Sequence, residues 1–566
     1  MQVMEKLDAW GFDPTRVSFA LRTAFAACVA LWLAQAIGLQ HPQWAAMSVW
    51  AAAQPLRGQL LEKSFFRLMG TIVGTAVGIG LALAGEAHLL LLVMGLALWV
   101  GLCTAIASVW RGYLSYGAVL AGYSAAMVAL LDIGHPENLG ALGLDRLATV
   151  LLGVAVVTLL GLPFAPKGAV RRGPTLALMT ETFGLMAKPA LPDTERAAAL
   201  ARLAAAEEGL DPQAAGSAQE RQRAHTLRLA LLALTGALLA HREGQSRPWD
   251  AAAQSAGAGD WTGAARLLDA AGEAPLAEAL RGIAAGSTTP APALHRDWIG
   301  AAEGGLRAAL GLALVGVVWV VTGFSGGNFM LLGLAVMISV FSTLESPATF
   351  MRWVVMGQII GIAAMLVLRW GIWPLLPSGD WLVPAMFPFI FMGAALTAHR
   401  KTVFMSLDAN MCFLLLLHPV WPLEGSLVQS LTLAGGVLAA PLLAWLMYRV
   451  VFPANLPRRV ATLEKMMRQD LVGMAQSHPD ADALAKWHSR LHHRVMRLMR
   501  MGEKIGRDKD VAFALGLAHL RVGTEVLTLH ATATDTGRSA AERQAAAEAL
   551  RTIATAPEQA IAAASR

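Results

Sequence analysis

The sequence predicts an all-α polytopic membrane protein built as two parallel repeats, each of six transmembrane helices followed by a cytoplasmic helical domain. Three observations point there. Of 566 residues, 56% are hydrophobic and 15% charged, where ordinary soluble domains carry about 25% charged residues. Apolar runs of membrane-spanning length fall into two blocks, 1–165 and 299–454, each followed by a polar, helix-patterned stretch, 166–298 and 455–566. Lys and Arg gather at alternate ends of the runs, as in a chain threaded through a bilayer with its basic ends inside.

The first run, 17–38, follows a mixed-charge N-terminal segment that lacks the short apolar core and small-residue cleavage site of a secretory leader, so it reads as a retained helix. At about 1.5 Å per residue it covers the roughly 30 Å hydrocarbon core. Further runs are 43–56, 68–85, 89–109, 113–131 and 144–165. Inner ends then receive Lys6, Arg16, Arg57, Lys63, Arg67, Arg111, Lys167, Arg171 and Arg172, while the outer edge has Arg146 alone. This bias threads both termini to the cytoplasm. Between the second and third runs the chain turns at Gln54-Pro55 and a basic segment, and Gly70, Gly74 and Gly78 then share one helix face that a neighbouring backbone can approach.

From 166 the texture changes to Ala, Leu, Arg and Glu, with apolar residues at three- and four-residue spacing in 197–208 and 220–242, as in amphipathic helices. Six more runs follow at 306–323, 327–342, 353–373, 381–397, 403–418 and 427–452, before a last Ala-, Arg- and Met-rich helical stretch. Leu21-Arg22-Thr23-Ala24 is echoed by Leu306-Arg307-Ala308-Ala309, and Arg67 with Gly70 and Gly74 by Arg352 with Gly357 and Gly361. An even number of spans per copy makes the repeat parallel, and such pairs usually place a pathway between the halves.

Trp44-Ala45, Gln54-Pro55, the basic turn and Arg67…Gly70-Thr71…Gly74 resemble the signature of the fusaric acid resistance family, and the duplicated plan resembles its bacterial aromatic carboxylic acid (p-hydroxybenzoic acid) exporters. The resemblance implies an inner-membrane efflux component working with a periplasmic membrane-fusion partner. The second copy departs from the pattern: Asn328 stands near the place of Trp44, and Ser346-Pro347 replaces Gln-Pro. The two halves are therefore expected to contribute unequally to a site.

Ionisable residues at membrane depth are functional candidates because their burial is costly. Arg22 and Arg307 occupy equivalent places one turn inside the first and seventh spans, where they could either snorkel to headgroups or attract a carboxylate. Asp408, well inside the eleventh span, is the proton-coupling candidate; its alternative is a salt bridge to Arg400 or another arginine. Trp50, Gln54, Tyr113, Tyr116, Tyr123, Ser124, Asn328, Gln358 and Asn410 supply aromatic faces and polar groups for an acid-binding pocket, or else serve packing and the interfacial belt.

The net charge of +6 sits largely at run ends, where it serves topology and lipid contact, so nucleic acid is not expected as a partner. Cys28, Cys103 and Cys412 have neither disulfide nor metal spacing, and His488, His492 and His493 read as a solvated polar face. There is no phosphate loop, HExxH or GxSxG elbow, so neither cofactor nor enzyme chemistry is expected. The sequence thus predicts a proton-driven exporter of organic, foremost aromatic, acids in a bacterial inner membrane. Its rivals are an anion channel and a membrane-anchored scaffold, and the glycine faces would permit a homodimer.

Overall fold

In the computed structural model, which describes residues 6, 8–131, 139–167, 172–241, 246–286, 292–477, 481–505 and 509–565, the regular secondary structure is helical. The 132–138 part of the expected outer loop and Arg171 lie outside the described residues. The chain forms two compact units, Met1–Lys167 with Asp297–Asn455, and Gly168–Arg296 with Leu456–Arg566.

The first unit holds, among its described residues, α1 (Pro14–Ala36), α2 (Gln43–Ala52), α3 (Arg57–Ala87), α4 (Leu89–Val109), α5 (Gly112–Leu131) and α6 (Leu139–Gly161), then α7 (Trp298–Thr322), α8 (Gly327–Val340), α9 (Pro347–Leu366), α10 (Phe387–Ala398), α11 (Val403–Leu415) and α12 (Leu427–Val450). With the short helical turns next to α9 and α10 included (Pro347–Leu375 and Gly379–Ala398), nine of these stretches are long and apolar enough to cross a membrane. The protein is therefore a multi-pass membrane protein.

The remaining three are short: α2 has 10 residues, α8 14 and α11 13, rising about 15, 21 and 20 Å. Pro55 explains the first, since the residue before a proline is pushed out of the helical region, and Ala53 already turns extended (φ −52°, ψ 135°). Conversely α3 starts eleven residues before the apolar run at 68 and α6 five before the run at 144. Those extra turns include Arg67 and set Arg146 two turns inside its helix.

The halves exchange contacts as a pseudo-two-fold pair. α1 packs on α10 and α7 on α4; α2 packs on α11 and α8 on α5. The glycine stripe of α3 lies on α5 so closely that a Cβ on Gly70, Gly74 or Gly78 would meet the carbonyl oxygens of Gly117, Ala121 and Ala125 at 2.5, 2.6 and 2.8 Å. The second half repeats this with Gly357 on Met405 and Gly361 on Ala409, joining α9 to α11.

The second unit has one core shared by both polar stretches, with Leu200, Leu203, Leu231 and Leu234 from the first and Met467, Leu471, Leu491 and Val495 from the other. Ala218–Ala240 is apolar and long enough to span, yet it lies in this core. Buried Arg228 pairs with Glu207 at 2.7 Å and with Asp211. His493 is fully buried, its Nε2 3.6 Å from Glu207 and its Nδ1 accepting from the His295 N–H, so it does not belong to a solvated face. The His488 side chain is outside the described ones. Glu207→Leu would leave Arg228 short of its buried partner and is expected to cost about 3 kcal/mol, read as a lowered melting temperature.

Candidate functional site

The glycine-sealed seam between α3 and α5 fixes what lies along it. Lys63 and Arg67 are one turn apart on α3, Tyr116 and Tyr123 two turns apart on α5, so the four side chains share the seam. Arg67 is 2% exposed and donates through Nη1 to the Tyr116 hydroxyl at 2.8 Å and the Tyr123 hydroxyl at 3.5 Å, and through Nη2 to Ser48 Oγ on α2 at 3.3 Å. The Lys63 ammonium stands 5.2 Å from the centre of the Tyr116 ring.

From the other side α6 brings Arg146, also 2% exposed, 5.3 Å from the centre of the Trp44 ring and within electrostatic reach of Arg67, Tyr116 and Tyr123. Arg67 Nε and Arg146 Nε and Nη1 are buried and, among the described residues, without a hydrogen-bond partner. Guanidiniums stay charged, and an uncompensated buried charge costs several kcal/mol. The adjacent carboxylate in the chain, Asp145, is committed elsewhere: it accepts from the Gln40 N–H at 2.8 Å and from His41 Nδ1 at 2.9 Å. Two cations with three unused donors beside Trp44 and two tyrosines can hold an oxyanion with an aromatic ring.

The second half has no such cluster at the matching place. With Gly70 and Gly74 aligned on Gly357 and Gly361, Arg67 corresponds to Val354, Tyr116 to Phe404 and Tyr123 to Met411.

Of the residues singled out in the sequence, Tyr116 and Tyr123 belong to this cluster. Arg22 and Gln54 line a small recess with Leu60, Val157 and Gly161, and the Arg22 guanidinium is 5.5 Å from the Phe19 ring centre. Arg307 is buried against the end of α12, where its Nε donates to the Val451 carbonyl at 2.7 Å, its Nη2 to that of Phe452, and its guanidinium sits 5.5 Å from the Tyr448 ring centre. Asp408 packs its Cβ against Gly357 and forms no ion pair among the described residues; Arg400 pairs with Asp8 instead. Arg22, Arg307 and Asp408 thus lie against three different sets of helices.

Trp50 is buried in the α1–α2 core, and its indole N–H has no partner among the described residues. Asn328 donates to the Leu130 carbonyl at 3.2 Å, and Asn410 to the Ser406 carbonyl at 2.8 Å while packing on Gly393. Buried Ser124 sits under Gly74, buried Gln358 is next to Gly357, and Tyr113 is half-buried. In the sequence, Arg146 stood only as a topology marker, Trp44 only as part of the family signature, and Arg67 as both.

The chain matches the model of the fusaric acid resistance protein family over residues 16–285 and again over 264–566. It is similar to the uncharacterized transporter GOX0755 of Gluconobacter oxydans, 32% identical over 185 residues, which are 32% of this chain and 25% of that protein. It is also similar to the p-hydroxybenzoic acid efflux pump subunits AaeB of Edwardsiella tarda (29% over 169 residues) and Escherichia coli O157:H7 (25% over 170), each match covering 28% of this chain and 26% of the relative. The match spans about a quarter of the length of these relatives. No solved structure matches.

Proposed function

This chain belongs to the fusaric acid resistance protein family, and on that premise we propose that it is an inner-membrane secondary exporter of organic, foremost aromatic, carboxylic acids, whose carboxylate is held by Arg67 and Arg146. The observation that carries this is the pair of buried guanidiniums with unused donors, Arg67 Nε and Arg146 Nε and Nη1. Arg146 and Arg67 take the carboxylate, Trp44 and Tyr123 face the ring, and Tyr116 orients Arg67. Lys63 and, beyond it, Arg22 with Gln54 draw the anion from the basic end of the unit, which the positive-inside bias puts in the cytoplasm. The remaining polar groups, Trp50, Asn328, Asn410 and Arg307, serve the packing of the path.

Asp408 is the group through which the proton gradient acts. Its carboxylate has no cationic partner among the described residues, so exchange of a proton is the means of neutralising it in the membrane. Asp408→Asn is expected to bind acid as the wild type does but to lose uphill export in proton-loaded vesicles; a variant that keeps gradient-driven export removes Asp408 from the cycle, and undiminished passive current favours an anion channel. That similar proteins are named pump subunits supports a periplasmic fusion partner. A homodimer through the membrane unit completes the proposed assembly.

The direct test is flux of labelled 4-hydroxybenzoate in reconstituted vesicles. Export that responds to an imposed pH gradient and disappears in Arg67→Ala supports the reading, whereas no acid-dependent flux leaves the scaffold reading in its place.

A further inference from the structure

At the end of the membrane unit away from Lys63, two loops from different halves meet over Trp44. His41, between α1 and α2, stacks on Trp44 with ring centres 4.1 Å apart and planes 8° from parallel. His418, between α11 and α12, also stacks on His41, with ring centres 5.1 Å apart and planes again 8° from parallel. His418 Nε2 lies 3.1 Å from the Gln40 carbonyl, which only accepts, so that nitrogen carries the hydrogen. Asp145, its side chain 5% exposed, takes both the Gln40 N–H and His41 Nδ1.

We propose that His41, Asp145 and His418 form a proton-operated latch that closes the loops at 37–42 and 416–426 over the Trp44–Arg146 end of the cluster. The reading above enters only in naming what the latch covers. Among the described residues, the charged groups that face it are Asp145 and His418 on His41, and His41, Asp145 and Arg369 around His418, with Arg146 beyond the Trp44 ring. Arg369 itself donates to the Glu424 carbonyl.

The sign follows from the partners. A proton on His41 turns its contact with Asp145 into an ion pair and neutralises a buried carboxylate. Loss of that proton leaves Asp145 charged, buried and held by neutral donors alone, one residue from Arg146, so the loops part and water reaches the carboxylate. Only one of two stacked imidazoles can readily be charged, and the one facing the carboxylate is His41. The latch is therefore shut when His41 carries a proton and open when it does not.

Gln43, at the start of α2 directly after the loop, reports the state, because it is 2% exposed, whereas Gln40 is exposed. In full-length protein with Cys28, Cys103 and Cys412 replaced by alanine, maleimide labelling of Gln43→Cys is divided by that of Gln40→Cys at the same pH. The ratio should rise about tenfold from about pH 5.5 to pH 8. With His41→Gln the ratio should stay high at both pH values, and with the isosteric Asp145→Asn, which removes the charge that drives opening, the rise between them should disappear. A ratio that does not change with pH in the parent, or that changes equally in Asp145→Asn, overturns the latch. The labelling uses no acid, so failure of carboxylate binding at Arg146 would remove the transport reading and leave this result standing.

Discussion

Arg146→Met is expected to lower carboxylate export about 100-fold, roughly 2.7 kcal/mol, while raising the melting temperature of the purified protein. Removing one member of a buried, hydrogen-bonded charge pair typically costs about 2–5 kcal/mol of binding. The same change relieves the ligand-free protein of a buried guanidinium whose Nε and Nη1 have no partner among the described residues, and replacing buried charge by an apolar side chain of similar volume is often stabilising by about 1–4 kcal/mol. Opposite movements of activity and stability are the signature of a group kept for a ligand. Arg146→Lys keeps the charge but loses the planar fork and should fall between the two. Growth on graded 4-hydroxybenzoate and thermal unfolding in detergent read the two effects; a fall in both would mean that Arg146 serves to hold Trp44.

Gly74→Val should be strongly damaging to the membrane unit. Its Cβ would lie 2.6 Å from the Ala121 carbonyl oxygen and 2.7 Å from Ser124 Cβ, and neither backbone can yield without α3 and α5 separating. Overpacking usually costs about 1–3 kcal/mol, and more where the obstacle is backbone. Separation would also draw Tyr116 and Tyr123 away from Arg67, so any folded fraction should bind acid poorly. Gly435→Val, on α12 with nothing within 4 Å of its Cβ, is the matched control and should behave as wild type in size-exclusion profile and melting temperature.

The glycine faces, the repeat and the position of the helices were legible because four-residue spacing and apolar length follow directly from helix geometry. The cluster was harder to read for a physical reason. Hydropathy drops at a charge, so a basic residue near the end of an apolar run reads as its boundary. Arg67 and Arg146 became edge markers in this way, although α3 carries Arg67 ten residues from its start and α6 carries Arg146 seven from its own. Arg307 drew notice as an intramembrane charge, yet its bonds to the Val451 and Phe452 carbonyls tie the end of α12. The departure of Asn328 from Trp44 did signal unequal halves, and Val354, Phe404 and Met411 stand where the cluster would repeat.

Equilibrium dialysis of the purified protein against labelled 4-hydroxybenzoate tests the central claim most directly. The wild type should bind the acid with saturation and should ignore its methyl ester, which lacks the carboxylate, and Arg67→Gln with Arg146→Gln should abolish binding. Binding of acid by the double variant at wild-type affinity, or equal binding of acid and ester, would contradict a carboxylate site built on these two guanidiniums.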